Sequence, residues 1–177
     1  MKNYLKRIYR LSLSPTKREA IVWKDLKKLF QREKWRHGVF EQGRYIEAGF
    51  SIAEDKGASF FYSINNRQFG CFVRVIEDFP EELTSDIFIM ATHFNNILNY
   101  GMLTIDTDRR SVDFTLKEDI LTPYLYGEEH LSFPISRHHG IVNDLLYRAF
   151  QRLIHENEAP AIIIADLLKE QEDSETE

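Results

Sequence analysis

The chain has one cysteine, Cys71, among its 177 residues. No internal disulfide can form, and no thiolate cluster is available for zinc or an iron–sulfur centre. A lone thiol fits a reducing compartment. Long apolar runs are missing as well: nothing approaches the roughly 20 residues of a membrane span. Residues Met1 to Arg10 mix charge with apolar side chains and hold no apolar h-region. No secretory signal is read, and a cytoplasmic location is expected. The sequence contains no G-x-x-x-x-G-K-[ST], G-x-G-x-x-G or G-x-S-x-G run, so the usual signatures of phosphate cradles and nucleophile elbows are absent. There is no internal repeat and no low-complexity core segment.

What is present is ordinary globular material with uneven charge. At this length one domain can bury roughly 70% of the surface its unfolded chain exposes. Thirteen Phe and eight Tyr supply apolar volume for a core. Residues 1–37 hold twelve Lys and Arg against three Asp and Glu, a charge of +9, and the remainder carries −14. Such asymmetry marks either an interaction arm or a basic helix lying against an acidic body.

Residues 1–15 read as a basic N-terminal arm. Thr16 to Glu19 fits a capping box, and Ser14 before Pro15 is a competing helix start. From there a helix is expected to about Trp35, with Val22, Leu26, Leu29 and Phe30 on its apolar stripe. Gly38 and Gly43 bracket a loop or a first short strand. Arg44 to Ala53, Ser59 to Ile64 and Phe69 to Ile76 read as strands joined by short turns, hence an antiparallel meander. Ile87, Met90, Ala91, Phe94, Ile97 and Leu98 recur at helical spacing, capped by Thr84 or Ser85 and stopped at Gly101.

A hairpin follows through Leu103 to Asp106 and Val112 to Leu116. Pro123 and Pro134 discourage a continuous element, leaving Tyr124 to Tyr126 and Leu131 to Phe133 as candidate short strands. Ser136 is expected to cap a helix to about Glu156, and Pro160 to open a last one. Residues 170–177 carry five acids and no apolar side chain, which reads as a solvated, disordered tail. The order α-βββ-α-ββ-α(α) predicts one α+β domain over 16–169. It has an antiparallel sheet of about five strands with helices packed on one face.

The run Phe94-Asn-Asn-Ile-Leu-Asn-Tyr-Gly101, then Leu103-Thr-Ile-Asp106 and Val112-Asp-Phe-Thr115, resembles the YbjN-like family, whose fold is similar to that of type III secretion chaperones. The resemblance covers roughly residues 16–157 and rests on element order. It implies a small, often dimeric, protein-binding module and no catalytic set.

Candidate chemistry is thin. His138 and His139 are adjacent, so on a helix they diverge by about 100° and seldom share a metal ion. A site would need His93, His130 or His155 to converge on them. Asp106 and Asp108 belong to a turn, and Asp113 lies in the same hairpin with Arg109 and Arg110 close by to neutralise the group. Asn99 reads as a helix-end device, while Asn95 or Asn96 is placed to bond the next strand. Cys71 alternates with apolar neighbours and reads as buried and inert. No metal and no cofactor is expected.

The expectation is therefore a non-enzymatic interaction module, chaperone-like or adaptor, that binds another protein and a second copy of itself. Its apolar interface is expected at Ile162, Ile163, Leu167 and Leu168 or on the central helix. The alternative is nucleic-acid or anionic-membrane binding through Lys6, Arg7, Arg10, Lys24, Lys28 and Arg32, with Trp23 and Trp35 nearby. A third reading, an unrecognised enzyme, needs a pocket gathering residues such as His93, Asn95 and Asp113.

Overall fold

The computed structural model describes residues 9–53 and 56–175, with side chains described as far as residue 169. Helix α1 is Pro15–Arg32. Of the two possible starts, the Ser14–Pro15 one is used, with Pro15 at the first helical position. There its missing N–H leaves no bond unmade. Glu19 does not reach back in a capping box. Its carboxylate accepts the Arg67 backbone N–H at 2.8 Å and pairs with Arg44 at 3.3 Å. The helix stops three residues before Trp35, and Lys34 takes a left-handed conformation, φ 56°, that turns the chain into the sheet.

The strands are β1 (His37–Phe40), β2 (Tyr45–Ser51), β3 (Gly57–Asn65), β4 (Gln68–Ile76), β5 (Met102–Asp106) and β6 (Ser111–Asp119). They form one antiparallel sheet in the order β1-β2-β3-β4-β6-β5. The expected count of about five rises to six, because the Gly38–Gly43 stretch supplies β1, which pairs Val39 with Ile46 and Phe40 with Tyr45. The β3–β4 turn puts Asn66 and Arg67 at φ 52° and 61°, the two left-handed residues of a tight hairpin.

The helices after β4 are α2 (Thr84–Ile97), α3 (Leu121–Tyr126), α4 (Glu129–Gly140), α5 (Tyr147–His155) and α6 (Pro160–Glu175). A short 3₁₀ turn, Glu81–Leu83, leads into α2, and neither Thr84 nor Ser85 caps it. Thr84 Oγ1 donates back to the Glu81 carbonyl at 2.6 Å.

The segment 119–135 holds no strand. Tyr124 to Tyr126 lie in α3 and Leu131 to Phe133 in α4. Pro123 is the third residue of α3, where its missing N–H has no helical partner to lose. Pro134 sits inside α4, where Leu131, Pro134, Ile135 and His138 bury one face. Ser136 therefore caps nothing. A π turn over Ile141–Leu146 joins α4 to α5. Helix α6 opens at Pro160 and runs into the acidic stretch from residue 170.

Two compact units build the chain, one of Met1–Val73 with Leu116–His139, the other of Arg74–Thr115 with Gly140–Glu177. In the first, Val22, Leu26, Leu29 and Phe30 of α1 meet the sheet face carrying Ile46, Tyr62 and Cys71, all fully buried. Phe30 sets its ring against Trp35, His37 and Tyr62 at 5.1–5.4 Å. From α4, His138 meets Phe60 at 5.5 Å on the same face. The opposite positions, Glu47, Phe61 and Phe72, stay half-buried.

In the second unit α2 lies on β5 and is tied to it by Asn95. The side chain of Asn95 accepts the Leu103 N–H at 2.7 Å and donates to the Leu103 carbonyl at 3.0 Å. Phe94 and Phe150 join α2 to α5 at 6.0 Å. Arg152 makes two bonds to Glu158, in the link before α6, at 2.6 and 3.0 Å, and one to Asp166 of α6 at 2.6 Å. These carboxylates hold its guanidinium charge well above the ordinary arginine range.

Candidate interaction surfaces

Helix α2 of the second unit has two apolar faces. Of the expected stripe, Ile87, Met90, Ala91 and Phe94 are buried, whereas Ile97 is half-buried and Leu98, also half-buried, falls just past the helix end in extended conformation. Phe88 and Ile89 fall off that stripe and are 46% and 52% exposed. With Thr92, His93, Asn96 and Ile164 of α6 they line a groove of about 440 Å³. His93 Nε2 is buried beside it with no hydrogen-bond partner among the described residues.

Of the four expected α6 positions, Ile162 and Leu168 are exposed by 52% and 41%. Leu167 is half-buried, and Ile163 is fully buried and belongs to the core. Phe88 and Ile89 were absent from the sequence reading. The signal available for them was apolar identity off the core stripe.

The basic candidates divide. Lys6 and Arg7 lie outside the described residues. Arg32 pairs with Glu33 at 2.9 Å and Glu128 at 2.7 Å, and Lys28 lies 3.9 Å from Asp25. Lys27 reaches Glu41 at 2.5 Å, and Trp23 Nε1 donates to the same carboxylate at 2.8 Å. Those two bonds hold Glu41 below the usual carboxylate range. Lys24 stays exposed without an ion pair among the described residues. Arg10 donates to the Tyr124 carbonyl, and the Tyr124 hydroxyl donates to the Arg10 carbonyl. Lys24, Lys28 and Arg32 stand at four-residue spacing as a ridge on α1, and two of the three are paired, with the nearby acids Asp25 and Glu33 and with the distant Glu128.

No enzymatic constellation assembles from the residues considered. Asn95 serves Leu103, Asp113 accepts from Arg74 at 2.9 Å, and neither lines the groove that His93 borders. Asp106 closes the β5–β6 turn by accepting the Arg109 N–H at 3.0 Å. His138 is buried, while His139 Nε2 lies 2.8 Å from the Ser51 carbonyl oxygen. Among the described residues no three His, Cys, Asp or Glu side chains form a group able to hold a metal ion. No described helix is long and apolar enough to cross a membrane.

Cys71 is buried on the sheet, and desolvation pushes its thiol well above the ordinary range, with Glu118 adding to the effect. Tyr62 across the ladder is raised for the same reason. Both groups keep their protons longer in the folded chain than in the unfolded one. Stability is therefore fully present below the unfolded thiol range and lost as pH rises above about 9. A urea-unfolding series from pH 7 to pH 10 is expected to show this fall, and Cys71→Ala to flatten its lower part. Native protein at pH 8 is expected to leave a thiol reagent unconsumed.

This architecture, a helix, an antiparallel meander, a helix, a hairpin and terminal helices, is the α+β class expected from the order of the elements. The crystal structure of YbjN from E. coli shares the fold at a TM-score of 0.59, with 6% identity, covering 75% of this chain and 93% of that one. The structure of the Yersinia pestis type III secretion chaperone SycH, solved with a stable fragment of YscM2, aligns at 0.42. It has 11% identity, over 66% of this chain and 92% of that one. No family model and no curated protein matches the sequence. The YbjN likeness establishes the fold.

Proposed function

We propose that this chain is a non-enzymatic protein-interaction module that pairs with a second copy of itself through the outer surface of α2 and α6. The observation that carries this is the exposed apolar set Phe88, Ile89, Ile162 and Leu168 in the second unit. Each of these half-exposed side chains forgoes roughly 1 kcal/mol of burial, about half the full-burial value, and exposed apolar surface of this kind usually marks an interface. Burial of the same patch on two copies is the self-complementary arrangement of a two-fold dimer.

The groove beside these residues, with an unpartnered imidazole nitrogen at His93, gives such an interface one polar anchor. The fold shared with YbjN, itself described as a proposed transcription regulator, is compatible with a role in binding rather than catalysis. The nucleic-acid and membrane readings gain nothing from the ridge of α1, whose Arg32 and Lys28 already face acids.

Light scattering across micromolar concentrations is expected to give the mass of two chains. Phe88→Asp or Ile162→Asp should convert it to the mass of one, because each exposed position tolerates a charge in the folded monomer. Buried charge at an interface centre costs several kcal/mol, enough to weaken association about a hundredfold or more. A wild-type chain that stays monomeric throughout would overturn the proposal.

A further inference from the structure

The first unit holds a small pocket of about 190 Å³ lined by Arg18, Arg67, Asp119, Ile120, Leu121 and Tyr124. We propose that it binds a phosphoryl group between the guanidinium groups of Arg18 and Arg67.

The two cations come from different elements: the Arg18 guanidinium is held by side-chain bonds, and Arg67 is anchored through its backbone. Arg18, on α1, donates Nε to the Leu13 carbonyl at 2.9 Å and Nη2 to the Leu11 carbonyl at 2.5 Å. Its partners are neutral carbonyls, so its charge is oriented but not cancelled. Its guanidinium lies 5.9 Å over the Tyr124 ring. Arg67 sits in the β3–β4 turn, at φ 61°. Its N–H donates to Glu19 at 2.8 Å, and its carbonyl accepts from the Ile120 N–H at 3.1 Å. Those bonds fix its backbone, while its guanidinium makes no hydrogen bond or ion pair among the described residues.

Arg18, oriented by its two carbonyl partners, and the exposed Arg67 line one concavity floored by buried Ile120 and Tyr124. Arg10, 5.6 Å over the same Tyr124 ring, adds positive field from behind it. The opposing charges are Asp119, one of whose oxygens already accepts the Leu121 N–H at 2.6 Å, and Glu19, whose carboxylate accepts the Arg67 N–H and pairs with Arg44.

The unbonded fork of Arg67 matches paired oxygens of phosphate, and Arg18, whose Nε and Nη2 already donate to Leu13 and Leu11, adds its Nη1 group and its charge; cations from two elements suit a tetrahedral dianion better than a planar carboxylate. A pocket of this size admits a phosphoryl group and little more, so the remainder of the ligand lies outside, over exposed Leu121. The bound chemistry is therefore a terminal phosphate, supplied either by a small phosphomonoester or by a lipid headgroup.

The test uses the full chain and three probes: inorganic phosphate, phenyl phosphate, and vesicles of phosphatidylcholine with phosphatidic acid. Phosphate and phenyl phosphate are each compared with sodium chloride at matched ionic strength, by thermal midpoint and by amide chemical shifts. The expected result is a midpoint rise beyond the salt control, with shifts centred on Arg67, Ile120 and Leu121. Arg67→Gln is expected to weaken binding about tenfold or more, as loss of a charge-assisted pair does. Arg67→Lys is expected to keep part of the affinity, and Lys24→Gln with Lys28→Gln to leave it intact.

Arg67→Gln removes no side-chain bond that the fold uses, so the variant stays folded. Stronger retention of the chain on the vesicles than binding of phenyl phosphate identifies a lipid source. The reverse identifies a soluble ester. No rise above the salt control, or equal binding by wild type and Arg67→Gln, overturns the proposal.

Discussion

Gly101→Ala is expected to lower stability by about 2–4 kcal/mol, from a left-handed backbone penalty of about 1–2 and an overpacking penalty of similar size. Gly101 follows α2 at φ 82°, where a β-carbon crowds its own backbone. A β-carbon there would also lie 2.5 Å from the Phe114 ring and 2.9 Å from the Thr115 carbonyl oxygen. Phe114 is fully buried, and the Thr115 carbonyl belongs to β6, so neither contact can swing aside.

At this chain length a loss of that size moves the melting midpoint by about 10 °C. Gly140→Ala is the control. Gly140 is helical, at φ −59° and ψ −48°, and its nearest new contact would be 3.7 Å away. Replacing a helical glycine is expected to stabilise by up to about 1 kcal/mol. Calorimetry on both variants separates conformational need from mere glycine identity. Equal midpoints would remove the argument.

That junction also shows how far the residues themselves could be read. The spacing of Ile87, Met90, Ala91 and Phe94 located α2, while the stop expected at Gly101 falls four residues past its last residue, Ile97. The prediction that Asn95 or Asn96 bonds the next strand resolves to Asn95, which takes both backbone groups of Leu103. Asn99 does no equivalent work at the helix end, because Leu98 in extended conformation already closes it.

Where reading failed, tertiary burial had overridden a local rule. Proline at 123 and 134 argued against helix, yet one sits where no N–H is needed and the other on a buried face whose packing offsets the lost bond. The π turn over residues 141–146 left Val142, Leu146, Ala149, Phe150 and Leu153 buried, so the apolar stripe gave no sign of it. Strand β1 was obscured by Gly38 and by its position at the sheet edge, where alternation is weak: three of its four residues are exposed.

The surfaces were harder still, for the same physical reason. Periodicity reports which residues face a core, and a binding surface is what remains after the core is satisfied. Charge runs report the number of cations, whereas the fold decides which of them meet acids. Lys24, Lys28 and Arg32 form the clearest ridge in the sequence, and two of the three are paired. Arg67 stood alone between Asn66 and Gln68 and drew no attention. It emerged only when the β3–β4 turn brought it to Arg18, about fifty residues away along the chain.

Phe30→Ala is expected to cost about 3–5 kcal/mol, the range for truncating a fully buried aromatic ring. Phe30 is 0% exposed, and its ring touches Trp35, His37 and Tyr62. It therefore anchors α1, the turn after it and the sheet at one point. Aromatic pairing adds about 0.5–1.5 kcal/mol per contact beyond area alone, which places the loss in the upper part of that range. Phe30→Leu keeps most of the volume and loses the ring edges, so a smaller cost of about 1–1.5 kcal/mol is expected.

The measurement is urea unfolding followed by both tryptophan fluorescence and far-ultraviolet dichroism. Trp23 and Trp35 both lie in the first unit, whereas dichroism reports the whole chain. Strands β4 and β6 each begin in one unit and end in the other, so loss of α1 from the sheet is expected to carry the second unit with it. Coincident transitions in Phe30→Ala, shifted together, are the expected result. A fluorescence transition that moves while the dichroism midpoint stays near wild type would show that the two units unfold independently, and that the basic helix could be removed without loss of the rest.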